Sequence, residues 1–154
     1  MIGLELWEYL SYVVTAIGFP LAIFVFIFEQ RKERDNEEEE VYQLLSDNYQ
    51  DFLKVALDNP DLKLFSDEGT QKFTEEQMER LTIIFSILIS LFERAYLLLH
   101  TDKMSPNQKR RWLSWDDYMC EWCQRADFRA ALPKLLLGED PEFVEYIRKI
   151  AGIK

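Results

Sequence analysis

Apolar residues follow two different patterns along this chain. From Tyr9 to Phe28, 20 consecutive residues carry no charge: YLSYVVTAIGFPLAIFVFIF. At about 1.5 Å per residue a helix of that length covers about 30 Å, the thickness of a bilayer's hydrocarbon core. Trp7, Tyr9 and Tyr12 lie at one end, where amphipathic rings favour the headgroup level. The start carries Glu5 and Glu8 with no Lys or Arg, and no small-residue cleavage site follows, so the pattern predicts a retained anchor over residues 1–30. The alternative is the buried core helix of a soluble protein, although such helices rarely exceed about 14 apolar residues. Arg31, Lys32 and Arg34 follow the run directly, which predicts the N-terminus outside and everything after residue 30 in the cytoplasm.

Beyond residue 30 the apolar positions become periodic. EQRKERDNEEEE is polar, free of Gly and Pro, and predicts a helical stalk; Val41, Leu44, Leu45, Asn48, Phe52 and Ala56 then mark one helix face. Stalk and first cytoplasmic helix together take residues 31–57, and a bundle takes 58–154. Pro60 to Phe73 reads as a loop with Gly69 in a turn. Thr74-Glu75-Glu76-Gln77 has capping-box spacing and opens a helix reaching about His100. Its centre, Leu81 to Phe92, is uncharged for 12 residues, which fits the central helix of a bundle; a second membrane pass is the alternative. Ser105-Pro106-Asn107-Gln108 repeats the capping box. The helix behind it puts Trp112, Trp115, Met119, Trp122 and Cys123 on one face, predicted to pack on the central helix. A short helix at 126–137 stops at Gly138, and Asp140-Pro141 caps a last helix with Phe143, Val144, Ile147 and Ile150 inward. No strand is predicted. The expected fold is all-α: a transmembrane helix continuing into a stalk, then a small cytoplasmic bundle.

Composition changes this picture in one respect. The chain has 18 Lys and Arg against 28 Asp and Glu, a formal charge of −10, which argues against binding duplex nucleic acid over its surface. Yet between Lys103 and Lys134 seven bases face four acids, a net of +3. Lys109, Arg110, Arg111, Arg125 and Arg129, with Trp112 and Trp115 beside the first three, form a candidate patch for an anionic ligand such as a cyclic nucleotide. Anionic lipid headgroups suit the same residues, and a solvated helix face is the plainer reading.

Within the anchor, Ser11, Thr15, Gly18 and Ala22 are spaced 4, 3 and 4 and share one face, which suits close helix–helix contact in lipid and a homo-oligomer. Pro20 removes a backbone donor and predicts a kink near Gly18. No Asp, Glu, Lys or Arg lies inside the span, which argues against an intramembrane ion relay. Cys120-Glu121-Trp122-Cys123 is a CxxC pair placed inside a helix, with no other Cys and one His in the chain, His100. Ordinary part-buried thiols are the simpler reading, and His100 reads as a cap. Phosphate loops, GxSxG and HExxH are absent from the sequence, so no catalytic residue, cofactor or metal is expected.

The layout resembles a widespread group of small bacterial single-pass membrane proteins with an N-terminal anchor and a helical cytoplasmic domain. Glu29-Gln30-Arg31 after the apolar run, Asn59-Pro60-Asp61-Leu62 and Phe92-Glu93-Arg94-Ala95-Tyr96 carry the likeness. Trp115 with Tyr118, Phe128-Arg129 and Pro141-Glu142-Phe143 extend it. The Trp-rich helix and its CxxC depart from that pattern. The resemblance implies a fold and a location at the bacterial inner membrane, and brings no activity with it. A looser, architectural likeness is to small membrane effectors of bacterial antiviral systems, which join an anchor to a nucleotide-sensing domain. Two expectations follow: a non-enzymatic, self-associating interaction or sensor module at the bilayer, or an effector that opens or disrupts the membrane when an anionic ligand binds.

Overall fold

A computed structural model of the chain describes residues 2–66 and 72–153. It is 85% helical, with no strand among the described residues. Among the described residues five α-helices follow one another: α1 (Ile2–Asp58), α2 (Glu75–Leu99), α3 (Pro106–Gln124), α4 (Ala126–Leu135) and α5 (Pro141–Ala151). A 3-10 turn, Pro60–Leu62, lies between α1 and α2. The turn expected at Gly69 falls outside the described residues. The all-α expectation holds. Anchor segment, stalk and first bundle helix are one element, because nothing between Arg31 and Leu57 breaks a helix.

The chain divides into two compact units, residues 1–41 and 42–154. In the first unit every side chain from Ser11 to Phe28 is exposed. Pro20 lies inside the helix, and the Thr15 hydroxyl donates to the Ser11 carbonyl at 2.8 Å. Among the described residues two helices are long and apolar enough to cross a membrane, α1 and α2. The apolar stretch of α1 is wholly bare and that of α2 is 50% buried. That difference separates them: half of the α2 stretch has a protein partner already.

The second unit holds the core. Leu45, Phe52 and Ala56 of α1 are buried as expected, while Tyr49 joins them and Leu44 is 55% exposed. The burial of Tyr49 follows from its aromatic partners. Tyr49 stacks on Phe52 and Tyr118 and meets the edge of Trp115, a larger apolar contact than Asn48 could make. Central helix α2 contributes Leu81, Ile84, Phe85, Leu88, Ile89 and Phe92 among its buried residues. From α3 the five residues predicted on one face, Trp112, Trp115, Met119, Trp122 and Cys123, are all buried. Trp112 meets Tyr96 and Trp122 meets Phe85, both on α2, as expected; Trp115 turns instead to Tyr49 of α1. Phe128 and Leu132 of α4 and Phe143 and Ile147 of α5 close the core, while Val144 and Ile150 stay half-buried.

Both capping boxes form as their spacing predicted, Thr74 with Gln77 and Ser105 with Gln108. Asp140 caps α5 by accepting from the amides of Glu142 and Phe143. α4 ends at Leu135, earlier than expected, and a turn carries the chain to Gly138 at φ 93°. The start of the expected loop is held by side chains of α2. Arg80 forks onto Asp61 and also donates to Asn59, and Gln77 donates to Asp61. Arg80 first and Gln77 second hold the Asp61 carboxyl down at about 2.

Candidate functional site

The residues grouped in sequence as an anion patch do not line one surface. Lys109 and Arg110 are exposed in the first turns of α3, whereas the Arg111 guanidinium sits 5.6 Å from the centre of the Tyr42 ring. Arg125 begins the next element, 15 residues beyond Arg110, which is about 22 Å of helix. Trp112 and Trp115 lie between these ends and are only 6% and 2% exposed, so their faces are occupied by core rings.

The bases at the far end are bound to the protein itself. Arg125 donates through Nη1 to the carbonyls of Leu64 at 2.6 Å and Lys63 at 3.3 Å. Its Nε and Nη2 grip the Asp127 carboxylate at 3.1 and 2.8 Å, and its guanidinium lies 5.7 Å from the Trp122 ring. Lys63 has a φ of 45°, a left-handed conformation that a non-glycine residue adopts at a cost, and Ser66 shares the task of holding its carbonyl. Arg129 donates to the carbonyls of Cys123 and Gln124, acceptors that the end of α3 leaves without helical partners. Chemically, both arginines act as clamps on backbone. Carbonyl acceptors have no signature in a sequence, so nothing in the charge pattern announced this.

A cleft of about 430 Å³ opens beside Arg125, lined by Phe65, Glu121, Trp122 and Asp127 among others. Its cation is already matched by Asp127, and Glu121 adds a further negative charge. A larger, more apolar groove of about 590 Å³ lies between the C-terminal part of α1 and α2. Asn48, Asp51 and Val55 form one wall, and Ile83, Ser86 and Ile87 the other. Ile83 is 53% and Ile87 44% exposed there.

The cysteines are free thiols, Cys123 buried and Cys120 half-buried. Burial pushes the Cys123 thiol up to about 12, and burial with the nearby Asp116 raises Cys120. Thiolates, the reactive and metal-binding form, are disfavoured at both. His100 caps α2 through its backbone amide, and its ring stacks on Tyr96 at 4.6 Å and meets the edge of Trp112. No cluster of three or more potential metal ligands occurs among the described residues.

Two polar arrangements escaped the sequence. The Tyr146 hydroxyl donates to Asp116, which also accepts from Cys120 Sγ at 3.7 Å, and burial with this bond raises the tyrosine. Glu93 accepts the Asp140 amide at 2.5 Å and faces Glu139, whose carboxyl burial and the neighbouring Glu93 push up to about 7. Each joins residues far apart in the chain, beyond the reach of motif spacing.

On α1, Ser11, Thr15, Gly18 and Ala22 lie exposed along one stripe, and a Cβ at Gly18 would touch nothing within 4 Å. The Thr15 hydroxyl is satisfied by its own helix, so that stripe presents little unpaired polarity. No protein family, no curated protein and no solved structure matches the chain, so its function is read from its own residues.

Proposed function

We propose that the chain is a membrane-anchored, non-enzymatic interaction or sensor module of the bacterial inner membrane that self-associates. Residues 9–28 of α1 lie in the bilayer with the N-terminus outside, and residues 31–154 are cytoplasmic. The observation that carries this reading is the bare apolar run: 18 consecutive exposed side chains from Ser11 to Phe28 without one charge. Exposed apolar surface on that scale marks a contact with lipid or protein, and the length matches a hydrocarbon core. Arg31, Lys32 and Arg34 at one end and aromatic rings at the other support the orientation. The Ser11, Thr15, Gly18 and Ala22 stripe supports association between anchors. A non-enzymatic role is supported by what the polar groups do, since Arg125, Arg129 and Asp116 hold the fold and the thiols are buried or half-buried with their thiolates disfavoured.

The test is membrane partition of the full chain. It is expected to remain with membranes through alkaline carbonate extraction. Ile17→Arg, at the middle of the run, adds about 2.5–3.5 kcal/mol to insertion and is expected to release a large fraction. A tag at the C-terminus is expected to resist protease in intact spheroplasts. Full release of the parent chain by carbonate would overturn the anchor, and cleavage of the tag would overturn the orientation.

A further inference from the structure

α2 has two apolar faces, and only one of them is covered. Its outer stripe runs Glu79, Ile83, Ser86, Ile87, Ser90 and Arg94, all exposed. The spacings 4, 3, 1, 3 and 4 read the same in either direction, with their midpoint between Ser86 and Ile87. We infer that this stripe is a homodimer interface, on which α2 of a second copy of the chain packs antiparallel about a twofold axis at that midpoint.

An isologous contact pairs each residue with one equally far from the axis on the other copy. On this stripe Glu79 then meets Arg94 of the second copy, and Arg94 meets its Glu79, so the interface closes with two ion pairs of complementary sign. Ile83 meets Ser90 and Ile87 meets Ser86, large against small, the alternation that lets two helices pack closely. Within one chain these charges are unused, since neither Glu79 nor Arg94 has an ion-pair partner among the described residues. The face is also ready to be dried. Thr82 donates to the Met78 carbonyl at 2.8 Å and Ser86 to the Thr82 carbonyl at 2.9 Å, so these two hydroxyls need no water. The stripe is itself one wall of the α1–α2 groove, which gives the second copy's isoleucines apolar surface to enter.

This names the partner for the proposed self-association, but it stands on α2 alone and not on the membrane reading. Carbonate extraction and the following cross-link therefore fail separately. The full chain carrying Ser86→Cys, in native membranes, is treated with a mild oxidant, and the parent chain with Cys120 and Cys123 sets the background. A disulfide-linked dimer is expected. Glu79→Arg or Arg94→Glu, each added to Ser86→Cys, puts like charges together twice and is expected to cut cross-linking roughly tenfold at low salt. Both changes in one chain restore it. Mixing the two single-charge variants gives a cross-linked heterodimer, because one copy then offers two bases and the other two acids. Absence of the dimer or indifference to the charge changes would overturn the interface. So would labelling of the introduced thiol only by lipid-soluble reagents, which would put lipid on this face.

Discussion

Removing the Arg125 guanidinium leaves the Leu64 carbonyl without a donor, and takes the cation from Asp127, which keeps only the Phe128 amide, and one donor from the Lys63 carbonyl, which keeps Ser66. The Arg125 side chain is 18% exposed, so water replaces it incompletely. Arg125→Ala is expected to lower the unfolding free energy by about 2–3 kcal/mol, read from the denaturant midpoint of the full chain. Arg125→Lys is expected to recover little, because one ammonium cannot span two carbonyls and a carboxylate as a planar fork does. A midpoint unchanged in Arg125→Ala would refute the clamp and return the guanidinium to the solvent-facing set.

At the scale of the element, helix starts carry measurable stability. Ser105 accepts the Gln108 amide at 3.3 Å while Gln108 Oε1 accepts the Ser105 amide at 2.8 Å. Ser105→Ala is expected to cost about 1 kcal/mol, seen as a lower thermal midpoint, whereas Ser105→Asp keeps the cap and most of the stability. Equal losses in the two variants would mean that the box contributes nothing. Such boxes are legible in sequence because all their partners lie within four residues. The buried face of α3 was legible for the same reason, as helical periodicity is local. On α1 Leu45, Phe52 and Ala56 were legible in the same way, but Tyr49 was not, because it is drawn inward by Trp115 and Tyr118, rings more than 60 residues away. The basic cluster was legible as charge and misleading as a surface: Arg125 and Arg129 face acceptors that every residue type supplies. The symmetry of the α2 stripe is written in the sequence, yet only burial of the opposite face distinguishes it from a helix apolar all round.

For the whole molecule the Glu93–Glu139 pair sets a pH dependence. The folded chain holds the Glu139 carboxyl at about 7, above its ordinary value of 4.5, so between those limits it binds more protons than the unfolded chain. The contribution of this group to stability is therefore greatest below about pH 4.5, falls as pH rises towards 7, and is level beyond. The decline amounts to about 2 kcal/mol after allowance for solvent at a half-buried site. Asp61, held at about 2, acts in the opposite sense and only at lower pH, as protonation removes its contacts with Arg80 and Gln77. Thermal melts of the full chain at pH 5 and pH 7.5 are expected to differ, and Glu139→Gln is expected to abolish most of the difference. An identical difference in the variant would assign it to other groups. The placement of the indoles has an optical consequence for such melts. Of the chain's four tryptophans, Trp112, Trp115 and Trp122 are in the core of residues 42–154, and Trp7 is 75% exposed near the start of α1. Emission is thus dominated by three rings in a dry environment, and its red shift on heating reports the opening of α3 from its neighbours. With the anchoring proposed above, quenching of Trp7 by a brominated lipid is a separate channel that reads the helix start independently of the bundle.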